Sequence, residues 1–141
     1  MRFILDTNVL ISALIKDSVT REILAKSGFE FYYPEISLEE ITKHKELILE
    51  KSDMTKDEYS ELLRKILTYV SLIGQDKINS KLEEAKEIFS HVDSDDVIFI
   101  VATLSIENDG IWSEDKHFKS QYKIKVYTTK ELMDFLKNNF L

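Results

Sequence analysis

Acidic residues gather in this chain where apolar runs begin or stop. Phe3-Ile4-Leu5 leads into Asp6-Thr7-Asn8, and Ile111-Trp112-Ser113 leads into Glu114-Asp115. A third group, Asp93-Ser94-Asp95-Asp96, directly precedes the apolar stretch from Val97 to Leu104. A carboxylate next to a buried segment costs free energy unless its charge is compensated. Several of them drawn into one place make a site for a hard divalent cation, which prefers oxygen ligands.

Each acid also has a plainer reading. Asp6 suits a helix N-cap. Asp93 or Ser94 suits the cap of the following helix, with Asp96 completing a variant capping box. Glu39-Glu40 fits a solvated helix face, and Asp115 fits a turn before Lys116-His117-Phe118. Convergence is what favours a shared site, and that depends on the elements that carry the acids.

Arg2–Leu5 reads as a short buried strand, followed by a helix through Val9, Leu10, Ala13 and Leu14. Ser18 or Thr20 caps a second helix reaching Lys26, stopped by Gly28. Phe29–Tyr33 is aromatic and strand-like, ending at Pro34. The helical pattern then returns from Glu35 to Glu50. Thr55 caps a further helix in which Tyr59, Leu62, Leu63, Ile66, Leu67, Val70 and Ile73 recur at helical spacing before Gly74. A shorter amphipathic helix covers Asn79 to Phe89. The acids before Val97–Leu104 mark a helix N-terminus, so that stretch reads as a buried helix. Ile111–Ser113 and Lys125–Thr128 read as strands, and Thr129 caps a last helix through Leu132, Met133, Phe135 and Leu136.

Strands alternating with helices imply a mostly parallel sheet of four to five short strands inside a three-layer α/β/α sandwich. In such sheets sites form beyond the carboxyl ends of the strands. Asp6 and Asp115 both follow strands and so fall at one sheet edge, with Asp96 and Glu40 brought by helices.

The 141 residues suit one domain spanning 1–141, with no linker-like stretch or internal repeat. The opening residues lack the pattern of a secretory leader, and no apolar run is long enough to cross a bilayer. The absence of Cys excludes disulfides, thiolate metal sites and a Cys nucleophile, and it fits a reducing cytoplasm. The Lys/Glu-rich composition would also suit a thermophile. A net charge of −7 argues against gripping nucleic acid over the whole surface, though not against a local basic rim. Such a rim is available from Lys116, Lys119, Lys123, Lys125 and Lys130, in a stretch without acids. The plainer reading of those lysines is a solvated surface.

The segments "FILDTNVLISAL", "PEISLEEI", "DSDDVIFIVATL" and "IWSEDKHF" resemble, in order, the four motifs of the PIN-domain family, which includes the VapC-type toxin ribonucleases. The first and last are specific; the middle two gain weight from order and spacing. The resemblance implies a PIN-like sandwich and assigns Asp6, Glu40, Asp96 and Asp115 as metal-binding, catalytic acids. Glu40 is preferred to Glu39 because an aliphatic residue, Ile41, directly follows it. By the same resemblance Asp93 caps or supports the site. Thr7, Asn8 and Ser113 orient ligands or contact the scissile phosphate. Glu114 is a departure that adds charge near the site.

Carboxylates without Cys or an obvious His cluster select Mg²⁺ or Mn²⁺. The implied reaction is metal-dependent hydrolysis of RNA phosphodiester bonds, leaving 5′-phosphate and 3′-hydroxyl ends. Lys116 and Lys119 would steer the backbone. His44 lies on the Glu40 helical face as a surface residue or an outer partner of the site, and His91 and His117 read as surface residues. Trp112 and the other aromatics read as core. An antitoxin partner and a homodimer are further implications, with the Thr55–Ile73 stripe serving as a docking face or, more commonly, as core packing.

Two other function classes compete. One is a non-catalytic RNA-binding or assembly module on the same fold, since fold alone does not fix function. The other is phosphoryl transfer through Asp6 as a nucleophile. Asn8 stands where related phosphatases carry a second acid, and the acidic pair expected of receiver domains is missing.

Overall fold

The computed structural model describes residues 1–15, 18–88, 94–119 and 123–140. Strand β1 (Arg2–Leu5) is followed by α1 (Thr7–Ile15), α2 (Ser18–Lys26) and β2 (Glu30–Pro34). A 3₁₀ turn (Glu35–Ser37) leads to α3 (Leu38–Lys43), α4 (Lys45–Ser52) and α5 (Lys56–Leu67). Then come β3 (Val70–Ile73), α6 (Gln75–Ser80), α7 (Leu82–Ile88) and α8 (Ser94–Ser105). The chain continues with β4 (Gly110–Trp112), α9 (Lys116–Lys119), β5 (Val126–Tyr127) and α10 (Thr129–Phe140).

The five strands form one sheet in the order β3-β2-β1-β4-β5, and every pairing is parallel. Parallel neighbours need crossover connections, and helices supply them here. In the central strand Phe3, Ile4 and Leu5 are all fully buried. Successive strand residues point to opposite faces, so both faces are covered, as in an α/β/α sandwich. Helix α8 packs along β1, β2 and β4. Phe3 anchors an aromatic layer with Phe29, Phe31 and Tyr127, and Phe29 passes the contact on to Phe135 of α10. Trp112 is fully buried, and its Nε1–H donates to Thr129 Oγ1 at 3.0 Å. The edges are modest: β3 exposes Ser71 and Leu72, and β5 has two residues. Short edges limit unwanted pairing with other chains. Among the described residues, no helix is long and apolar enough to cross a membrane.

Several local expectations need correction. The helix opened by Thr55 ends at Leu67, and Val70–Ile73 is a strand paired with β2. Val70 and Ile73 continue the helical spacing of Tyr59, Leu62, Leu63 and Ile66 by coincidence, because the same apolar positions serve an edge strand. The Thr68 and Tyr69 amides turn back to the Lys65 and Ile66 carbonyls, which tightens and closes the helix. The capping box of Thr55 with Glu58 is present. Tyr59 and Ile66 are buried while Leu62 and Leu63 pack half-buried against the core, so the α5 stripe is internal packing.

The expected Glu35–Glu50 helix is a 3₁₀ turn and two helices broken at His44, whose ψ of 6° leaves the helical range. The Asn79–Phe89 segment is likewise divided at Lys81 between α6 and α7, with Phe89 outside the described residues. The last helix is capped by Thr128 instead of Thr129. Thr128 Oγ1 accepts from the Glu131 amide, and Glu131 Oε1 accepts from the Thr128 amide.

Gly110 opens β4 at φ +143°, where a Cβ would meet the Lys125 carbonyl oxygen at 2.6 Å and the Tyr127 ring at 3.0 Å. Gly28 also has positive φ, +77°, but nothing lies within 4 Å of its would-be Cβ. Gly110→Ala should therefore cost about 3 kcal/mol, and Gly28→Ala about 1 kcal/mol. Urea denaturation midpoints of the two variants check that order.

Candidate metal centre

The parallel pairing of β1 with β4 sets Leu5 opposite Trp112, so the residues after each strand leave the sheet side by side. The ladder continues one rung further, where the Asp6 amide donates to the Trp112 carbonyl at 3.2 Å. Ser113, fully buried, then joins the two chain segments. Its hydroxyl donates to Asp6 Oδ2 at 2.7 Å and accepts the Asp115 amide at 2.9 Å. Asp6 also keeps its capping role, since Oδ1 accepts the Asn8 amide at 3.4 Å and its carbonyl takes the Val9 amide. Burial raises the Asp6 carboxyl above its ordinary range, and the nearby Asp115 charge adds to this. Hydrogen bonds from Ser113, Asn8 and Thr7 oppose the rise without cancelling it.

Asp115 opens α9, its Oδ1 accepting the His117 amide at 2.9 Å and lying 3.2 Å from His117 Nδ1. Asp96, half-buried, comes from the first turn of α8. One ligand atom from each of Asp96, Asp115 and His117 lies within 4.8 Å of the others, close enough for one cation to bridge. Neither Asp6 nor Glu40 belongs to that group. An apolar floor places α8 and α9: Tyr33, Phe99 and Phe118 form a chain of ring contacts from β2 through α8 to α9. Phe99 lies one helical turn after Asp96, and Phe118 directly follows His117.

Glu40, on α3, is near enough to Tyr33 of β2 for its charge to act on that hydroxyl. The fully buried Tyr33 hydroxyl donates to the Ser37 carbonyl at 2.8 Å and pairs with Thr7 Oγ1 at 2.7 Å. Burial raises the Tyr33 hydroxyl pKa strongly, and the charges of Glu40 and Asp6 push it further. Tyr33 therefore stays protonated, under the charges of both Asp6, just after β1, and Glu40 of α3. The negative field of these carboxylates and the oxygen-and-imidazole donor set both fit a divalent cation.

The family model described as "PIN domain" matches residues 4–136. The chain belongs to the PIN domain family. Among solved structures, a chain of VapBC2 from Rickettsia felis, bound to a DNA fragment from their promoter, superposes with a TM-score of 0.69. The match has 17% identity and covers 91% of this chain and 98% of that one, which establishes the likeness of fold. No curated protein matches the chain.

The remaining expected residues of this PIN domain divide between the site and its surroundings. Thr7 is buried against Tyr33, and Asn8 is exposed at the start of α1. Asp93 and His91 lie outside the described residues. Glu114 is exposed, and its Oε1 accepts the Thr129 amide at 2.7 Å, so its carboxylate is tied to the start of α10. His44 Nδ1 lies 2.7 Å from the Glu40 carbonyl oxygen at the α3–α4 break.

The basic stretch is split by the sheet. Lys116 follows Asp115 and Lys130 lies in the first turn of α10, both beyond carboxyl ends of strands. Lys123 and Lys125 line a cavity with Met1 and Asp109 at the amino edge. Tyr33 and His117 were not expected in the site from sequence. Their only signals there are an aromatic immediately before Pro34 and the Asp-x-His spacing of Asp115 and His117.

A carboxyl whose folded pKa lies above its unfolded value binds its proton more tightly in the fold. Its contribution to stability therefore falls as pH rises through that window. In chelator, Asp6→Asn should melt above the parent PIN domain at about pH 8 and lose that advantage as pH falls toward about 4. Thermal melts across this range check both the sign and the window.

Proposed function

We propose that this PIN domain is a metal-dependent endoribonuclease that hydrolyses RNA phosphodiester bonds and serves as the toxin of a toxin–antitoxin pair. The observation that carries the reading is the gathering of Asp96, Asp115 and His117 within 4.8 Å. Ser113 ties Asp6, which lies outside that group, to the Asp115 backbone through its hydroxyl. Mg²⁺ or Mn²⁺ bound there supplies an activated water and charge stabilisation at phosphate oxygens.

The residues divide the remaining work. Asp96, Asp115 and Asp6 provide the negative charge that holds the cation, with Glu40 contributing from the α3 side. Ser113 fixes Asp6 and the start of α9, as outer partners do around metal ligands. Lys116 and Lys130 lie on the same edge and offset the net charge of −7 where a phosphate chain would approach. The fold shared with VapBC2, together with the motif resemblance, supports the toxin role.

Cleavage of a fluorescent single-stranded RNA should require Mg²⁺ or Mn²⁺, stop with chelator and fall below detection in Asp115→Asn. Ser113→Ala should lose about 10- to 100-fold. Expression in a bacterial host should arrest growth with the parent chain and not with Asp115→Asn. RNA binding that is unchanged in Asp115→Asn, with no metal-dependent cleavage by the parent, would replace the nuclease reading with that of a binding module.

A further inference from the structure

We infer that His117 is a nitrogen ligand of the proposed cation site and that it biases the site toward Mn²⁺ over Mg²⁺, an inference that rests on the metal-site reading above. The motifs lead one to expect an all-carboxylate site. Within the span of one ion the fold instead collects two carboxylates and an imidazole. Adjacent ligands on a small octahedral ion with bonds of about 2.1 Å stand about 3 Å apart. His117 Nδ1 and Asp115 Oδ1 are 3.2 Å apart, which matches that edge.

The backbone holds the pair in this relation. The His117 amide donates to the same Asp115 carboxylate, so residues 115–117 form one tight turn that presents carboxylate and imidazole together. Phe118, buried against Phe99, fixes the turn from below on the helix that carries Asp96. As a purely structural ion pair the contact would contribute little, since the His117 side chain is 84% exposed.

The chemistry of the donors sets the preference. Carboxylate and water suit Mg²⁺ and Mn²⁺ alike, whereas the softer imidazole nitrogen is accepted better by first-row transition ions, Mn²⁺ the weakest binder among them, than by the harder Mg²⁺. A neutral nitrogen also adds a ligand without adding a further negative charge to a cluster that already repels itself.

Pulsed EPR of the full chain loaded with Mn²⁺ alone tests this directly. The parent should show the nuclear modulation of a directly bound ¹⁴N, and His117→Ala should lose it while still binding Mn²⁺. Calorimetric titration should show Mn²⁺ affinity falling about 10-fold in His117→Ala, with Mg²⁺ affinity nearly unchanged. Bound Mn²⁺ without nitrogen modulation in the parent, or with modulation that survives in His117→Ala, overturns the inference and leaves the metal site standing. Failure of the parent to take up Mn²⁺ overturns both.

Discussion

The pairing of β1 with β4 is the constraint on which the rest depends. It brings Asp6 beside Ser113, residues separated by 107 positions, and the buried Ser113 hydroxyl spans the gap. A hydroxyl there can do what neither backbone can: donate to one segment and accept from the other. A buried carboxylate is costly without partners, and these bonds make Asp6 tolerable at the centre of the fold. The residual strain appears as its raised affinity for a proton. A cation would answer the same electrostatic demand, which links the stability of the sheet edge to its chemistry.

Around this centre the helices act as carriers. The 3₁₀ turn after Pro34 brings the Ser37 carbonyl to Tyr33 and leads into α3, whose Glu40 is near enough for its charge to act on the Tyr33 hydroxyl. Helix α8 lies against three strands and delivers Asp96, while α9 holds His117 in the turn begun by Asp115. The line of Tyr33, Phe99 and Phe118 makes these placements mutually dependent. Aromatic contacts of this kind tie the positions of separate elements together without adding charge.

Much of this was legible in the residues. The apolar runs of β1 and β4 end in polar groups, and alternation with helices dictates parallel pairing. The common edge of Asp6 and Asp115 therefore followed from topology. Strand β3 was hidden because Val70 and Ile73 fit a helical stripe as well as a strand, and only pairing with β2 decides between them. The break at His44 was hidden because no Gly or Pro marks it. His117 looked like surface because exposure and participation in a site are compatible, and sequence reports neither distance. Glu114 read as extra charge near the site, and sequence could not show that its carboxylate accepts the amide at the α10 terminus.

The Tyr33 hydroxyl carries one further consequence. A phenol has a single proton, and Tyr33 gives it to the Ser37 carbonyl. The short contact with Thr7 must then run the other way, with the Thr7 hydroxyl as donor. Thr7 has no second proton, so toward the acidic edge it presents lone pairs alone. It is thereby disqualified from grasping an anionic oxygen of a nucleic-acid backbone and suited to receiving a hydrogen from an ordered water. A tyrosine with no exposure of its own thus sets the polarity of a neighbour's hydroxyl.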